Sequence, residues 1–195
     1  DAQPISTKPL LTEYKGETMV LFGTGKLLGV ADLDSAVASN SQTQSVYAVK
    51  DPEPFSTSTK YPDLRSKLAP LGITKSGTTR TAACTGKATE CDRDAGWVLN
   101  LPDKGERVNV DMRLAYGTLV FASNVPNADA CSIGGYSWLN LVNYRTGMKP
   151  SRMPDSVSTL IQDGLSVGVN ISYVNDGNGQ LVPVVNVTDS SGGTT

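Results

Sequence analysis

One plan of strands recurs along this 195-residue chain, and that recurrence restricts the folds open to it. The segment 117–147, GTLVFASNVPNADACSIGGYSWLNLVNYRTG, starts with a short β-branched and aromatic run. A loop rich in Gly, Asn and Asp follows, and then a second strand with apolar residues from Trp138 and Leu139 through Val142. An earlier stretch, ETMVLFGTGKLLG followed by TQSVYAVKD, repeats this order, with Val46 and Ala48 on alternate positions. A strand pair with a long loop between its members, used again downstream, is how a β-propeller blade looks in one dimension. Such a fold displays and docks unless chemistry is built into it, so architecture alone names no reaction.

Three hairpins share the plan. Thr7 to Glu13 and Thr18 to Phe22 meet at Lys15-Gly16, and Val108 to Leu114 and Thr118 to Ala122 meet at Gly117. Val167 to Val174 and Leu181 to Val187 meet at Asn175-Asp176-Gly177-Asn178-Gly179. Apolar alternation on both sides of a Gly or Asp-Gly turn is a strong short-range hairpin signal. Third strands are expected at Gln44 to Lys50 and Tyr136 to Tyr144, and fourth strands at Gly96 to Leu101 and around Val157 to Ile161. The expected fold is therefore all-β: a partial β-propeller of about two and a half four-stranded blades. The third blade stops after two strands in the Ser/Gly/Thr tail 188–195. Because propellers close with about four to eight blades, residues 1–195 read as a fragment whose remaining blades lie in a longer parent. The start at Asp1, with no signal-peptide pattern, fits a processed chain or a fragment.

Residues 51–95 read as an insertion within the first blade. It opens with Pro52, Pro54 and a Ser/Thr run, then offers one short helix, Pro62 to Ala69. There Leu64 and Leu68 share a face and Pro70 closes the element. Thr/Ser-rich chain follows. Insertions of this size in compact domains are either functional or disordered.

Charge and composition exclude several function classes. The net charge of −2 comes from 17 basic residues, scattered rather than striped, and 19 acidic ones, which gives no footprint for nucleic acid. There are no histidines, which removes Ser-His-Asp and Cys-His nucleophiles and the His-containing metal sites. A non-enzymatic role is expected. Apolar runs are no longer than Met19 to Phe22, far too short to span a bilayer as a helix.

Cys84 and Cys91 flank CTGKATEC, a spacing that suits a small disulfide loop and is too wide for a CxxC metal clamp. Reduced, unpaired thiols are the other reading. A disulfide would place the chain in an oxidising compartment. Cys131 has no partner by count and reads as a small buried hydrophobe. The string GTGK at 23–26 lacks the Ser or Thr and the helix of a phosphate loop, and its glycines suit a tight turn. Asp32 and Asp34 are weak calcium candidates and read first as solvated loop acids. Asp176 and Asn178 are weak calcium candidates too, and read first as hairpin-turn residues. Trp97 and Trp138, each on an expected strand, suit packing better than a stacking platform.

The chain resembles the C-terminal β-propeller domain of type IV pilus tip-associated adhesins of the PilY/PilC type. The resemblance rests on 8–33 (KPLLTEYKGETMVLFGTGKLLGVADL), 43–51 (TQSVYAVKD), 96–108 (GWVLNLPDKGERV) and 117–147, in that order. It implies a bacterial protein exported through the periplasm to the pilus tip, cell surface or outer membrane. It implies partners among the minor pilins, a host or abiotic surface, and further blades of the parent. It also implies a role in pilus assembly and surface attachment. Some such proteins bind calcium through an acidic loop. After Thr146-Gly147, where that loop often stands, this chain has MKPSRMPDSVSTLIQDG, with only Asp155 and Asp163, so no cofactor is expected here. Two other classes stay open: a quinoprotein-type or other propeller oxidoreductase, since such enzymes share blade strings like VYAVKD and NYRTG, and a plain carbohydrate-binding propeller.

Overall fold

Strands dominate the computed structural model, which describes residues 3–33, 42–51, 63–91, 93–127, 134–151, 155–162 and 164–194. In chain order the elements begin β1 (Leu10–Tyr14), β2 (Glu17–Gly23), β3 (Ser45–Asp51), α1 (Leu64–Lys67), β4 (Ala69–Ser76) and β5 (Thr79–Cys84). They continue α2 (Ala88–Cys91), β6 (Gly96–Asn100), β7 (Arg113–Ala115), β8 (Thr118–Pro126) and β9 (Gly135–Asn143). The last are β10 (Ser158–Ile161), β11 (Ser166–Asn175) and β12 (Leu181–Asp189).

Two four-stranded antiparallel meanders carry the expected blades. In the first, β1-β2-β3-β6, Leu21 lies opposite Ala48 and Ala48 opposite Trp97. In the second, β7-β8-β9-β10, Leu119 lies opposite Val142 and Asn140 opposite Ser158. Both are β-branched and aromatic sequences that favour a pleated, packed surface. The strands are apolar on both faces because both faces are covered. Met19, Leu21, Val46, Trp97 and Leu99 of one blade form a single core with Leu119, Phe121 and Val142 of the other. Each such aliphatic or Phe side chain taken fully out of water contributes about 1.5–3 kcal/mol.

Outside this central layer sit two smaller ones. Val120 and Ala122, on the far face of the second blade, pack against Val169 of β11, with Ile171 and Val185 beside them. Tyr47 and Val98, on the far face of the first blade, are covered by Leu68 and Leu64 at the α1 segment. The successive layers are therefore the hairpin β11-β12, blade two, blade one and α1. The expected partial propeller of two complete blades and a third begun by a hairpin is the architecture found.

The insertion departs from its expected form. Helix α1 covers only Leu64–Lys67, whereas Ala69 and Pro70, assigned above to a helix and its stop, begin strand β4. Pro62 lies outside the described residues. Residues 71–84, expected as Thr/Ser-rich chain running into the cysteine loop, complete the hairpin β4-β5. Strand β4 runs parallel to β6, pairing Ala69 with Trp97 and Leu71 with Leu99. Strand β5 runs antiparallel to β10, pairing Arg80 with Ser158. The hairpin thus welds the outer strands of both blades into one nearly closed ten-stranded sheet, in the order β1-β2-β3-β6-β4-β5-β10-β9-β8-β7. Among the described residues no helix is long and apolar enough to cross a membrane.

Candidate functional site at the two ends of the blades

Strand direction gives the blades two ends of different chemistry. At one end, beyond the C-termini of β6 and β8, lies a buried polar clamp. The guanidinium of Arg80 (β5) meets the carboxylate of Glu106 in two contacts, Nη1 to Oε1 at 2.7 Å and Nη2 to Oε2 at 3.0 Å. Both side chains are fully buried. Arg80 Nη2 also reaches Asp103 Oδ2 at 2.7 Å, and the guanidinium lies 3.7 Å from the centroid of the Trp138 ring. The same Asp103 oxygen accepts from Trp138 Nε1 (2.9 Å) and from the Tyr136 hydroxyl (3.0 Å). Burial, then the hydrogen bond to Asp103, pushes the Tyr136 phenol up to about 12.

The clamp extends as a row across neighbouring strands. Ser123 (β8) donates to Glu106 at 2.5 Å, Asn140 (β9) donates to Ser123 at 3.0 Å, and Ser158 (β10) donates to Asn140 at 2.6 Å. A second node faces the other way. Asn124 accepts from Ser137 and from the backbone N–H of Ser166 at 2.7 and 2.8 Å, pinning the start of β11 to blade two. These groups satisfy one another in a low-dielectric setting, which fixes the register of the pieces they join. In role the clamp is a fastener between the insertion, the 101–108 linker and blade two.

At the opposite end the turns Lys15-Gly16 and Tyr116-Gly117 and the segment after β9 come together. A cleft of about 260 Å³ opens there between the blades. Leu71, Trp97 and Met148 give it an apolar wall, Tyr14 one side, and the Cys84–Cys91 pair another. Trp97 donates to the carbonyl of Tyr144 at 2.9 Å, tying blade one to blade two beneath it. Gly147 lies at φ 66°, and a Cβ there would stand 2.3 Å from Leu71 Cδ1 and 2.8 Å from Trp97 Cδ2.

Four basic side chains line the cleft, Lys15, Lys50, Arg93 and Arg145, against one acidic one, Asp94. Lys50 bonds Asp94 and stands 3.8 Å from Glu17, and that pairing holds the Asp94 carboxyl below its ordinary range. Arg93 pairs with Glu90 at 3.2 Å and donates to the Leu68 carbonyl. Arg145 donates from Nε to the Tyr144 hydroxyl at 3.0 Å. Lys15, Lys50 and Arg145 stand 5.3, 5.0 and 5.1 Å from the centroid of one ring, that of Tyr14.

The residues singled out from sequence fall as follows. Cys84 and Cys91 are bonded to each other, with Cα atoms 5.8 Å apart. Cys131 and Asp34 lie outside the described residues. Asp32 is not a solvated acid: it is buried, accepts from the Leu28 N–H at 2.8 Å and pairs with Lys26 at 3.0 Å. These contacts, the backbone bond first, hold its carboxyl below the usual range. Asp176 accepts from the N–H groups of Asn178 and Gln180 across the β11-β12 turn, as a turn residue does. No three His, Cys, Asp or Glu side chains converge as a metal site among the described residues. In the GTGK string, Gly25 takes φ 115°, whereas Gly23 is small because Val108 would stand 2.5 Å from a Cβ. Trp97 and Trp138 are both buried, so neither offers a stacking surface to solvent.

Sequence reasoning missed the clamp and the cleft alike. One signal was available: Arg80 shares the inward parity of Ala82 and Cys84 along β5, and a charge on a core face requires a partner. The cleft joins residues far apart in the chain and left no local pattern.

Face-packed four-stranded meanders, with a further hairpin laid on the outer face, place the chain in the β-propeller class. Among solved structures, the crystal structure of the Pseudomonas aeruginosa PilY1 C-terminal domain matches it with a TM-score of 0.67 over 99% of this chain, at 19% sequence identity. At that identity the likeness establishes a shared fold. The chain spans 44% of that domain's length. No protein-family model matches the chain, and no curated protein matches it in sequence.

Proposed function

We propose that this chain is part of a non-enzymatic type IV pilus module that promotes pilus assembly or extension and attaches the cell to surfaces. The observation that carries this reading is the match of nearly the whole chain to the PilY1 C-terminal domain. It coincides with the four ordered sequence pieces read above, which resemble the same type of protein. In this reading the partners are minor pilins at the tip and a host or abiotic surface, and the location is the exported pilus tip and cell surface.

The physical design suits a part held under tension. Force along a blade loads ladders of backbone hydrogen bonds, and the Cys84–Cys91 bond closes the base of the inserted hairpin. The Arg80–Glu106 pair fastens that hairpin to the linker and blade two. The test is deletion of the encoding gene in a cell whose retraction motor is intact. Surface pili are expected to disappear from electron micrographs, and pili persisting at normal number would contradict the proposal.

A further inference from the structure

The inserted hairpin β4-β5 is held at its two ends by different means. Its base sits in blade one: Ala69 and Leu71 pair with Trp97 and Leu99 and are buried in the shared core. The Cys84–Cys91 bond ties the neighbouring end of β5. The tip meets blade two through two register pairs, Arg80 with Ser158 and Thr79 with Thr159, where β8 and β9 share nine. Across this seam the Val157 N–H donates to the Arg80 carbonyl at 2.7 Å and the Leu160 N–H to the Thr78 carbonyl at 2.9 Å. From Thr74 to Thr81, Arg80 alone is buried.

We propose that this seam is a latch: the hairpin tip leaves blade two as a unit and returns, while its base stays in blade one. What holds the tip is ionic rather than apolar. Arg80 faces Glu106 and Asp103, and Lys75, its cross-strand neighbour, stands 3.8 Å from Asp103. A buried ion pair gives back much of its Coulombic gain as desolvation, so releasing both partners into water costs far less than deleting one. Arg80 Nε weighs on the closed state as well, since it is buried and finds no acceptor among the described residues. Each blade keeps its own four-stranded ladder when the tip leaves, because β3 pairs directly with β6 and β9 with β10. Units with few buried apolar contacts open ahead of the rest of a domain. The open latch bares the β10 edge and the face of Trp138 that Arg80 covers. It stands apart from the pilus reading, since opening is measured on the purified protein.

The experiment is amide hydrogen exchange, read residue by residue by NMR. The amides of Val157 and Leu160 should share one opening constant, about a hundredfold or more above that of the β8 and β9 amides. Arg80→Ala should speed both by about tenfold or more, while the Thr85 N–H, bonded to the Pro70 carbonyl at the base, keeps its rate. Thr79→Cys combined with Thr159→Cys places two thiols directly opposite each other across the seam. Their disulfide, confirmed by mass, should slow both amides by about tenfold or more and leave β8 and β9 unchanged. Should Arg80→Ala fail to fold, the cross-linked protein reads the same latch. Exchange of Val157 and Leu160 at the β8 and β9 rate, two unrelated opening constants for the pair, or rates that the cross-link does not move would each overturn the proposal.

Discussion

Arg80 and Glu106 face each other through two parallel contacts, 2.7 and 3.0 Å long, with neither side chain exposed to water. They join elements that the chain order keeps apart: an inserted hairpin and the linker between blades. Removing Arg80 strands the Glu106 carboxylate in the interior, and removing the charge of Glu106 leaves Arg80 only the carboxylate of Asp103. Arg80→Ala and Glu106→Gln should each lower stability by about 3–5 kcal/mol, read as a drop in the urea midpoint. Replacing both by apolar residues of similar volume should cost much less. A loss under 1 kcal/mol for either single change would show the pair to be idle.

Tyr136 makes the clamp sensitive to alkali. Its phenol ionises near 12 when folded and near 10 when unfolded, so the folded state holds the proton more tightly. Its contribution to stability is complete below about pH 10 and is lost as pH rises through 12. In a tyrosinate absorbance titration of the folded protein, one of the seven tyrosines should lag behind the rest. Tyr136→Phe should abolish the lag; an unchanged curve would refute the assignment.

The blades themselves were legible in the sequence for a physical reason. Leu119 to Ala122 is buried on both faces and Met19 to Phe22 is buried on one and half-buried on the other, so both alternating sets are apolar and the strands stand out. The hairpin β4-β5 did not stand out. Its outer face carries Pro70, Gly72, Thr and Ser, and its inner face beyond Leu71 and Ile73 carries the charged neighbours Lys75 and Arg80 and otherwise small residues. Pro70 misled as well: a helix stop in sequence terms, it instead opens a strand where β4 meets β6. Asp32 looked like any loop acid, because only the folded turn shows the Leu28 N–H that it accepts from.

Cys84 and Cys91 close a short loop at the base of the insertion. Cross-linking seven residues apart removes chain entropy worth about 2–3 kcal/mol, so Cys84→Ser should lower stability by that order. The intact protein should gain two mass units on reduction, and free thiols at both Cys84 and Cys91 before any reductant is added would contradict the bond.

Gly147 lets the chain turn against Trp97 and Leu71 at the wall of the cleft. Its φ of 66° disfavours a side chain, and the space for a Cβ is already filled. Gly147→Ala should cost about 2–4 kcal/mol, as backbone strain adds to overpacking. By contrast, Gly177→Ala, where nothing stands within 4 Å, should show only the strain of its positive φ, about 1–2 kcal/mol. Equal costs at both sites would remove the packing role assigned to position 147.

Counting surface pili in a gene-deletion strain with an intact retraction motor, complemented in turn with the unaltered gene and with Arg80→Ala, tests the whole account most directly. The unaltered gene should restore pili to normal number, and Arg80→Ala, its inserted hairpin unfastened, should leave the cells nearly bare. Normal piliation in the uncomplemented deletion strain would contradict the account.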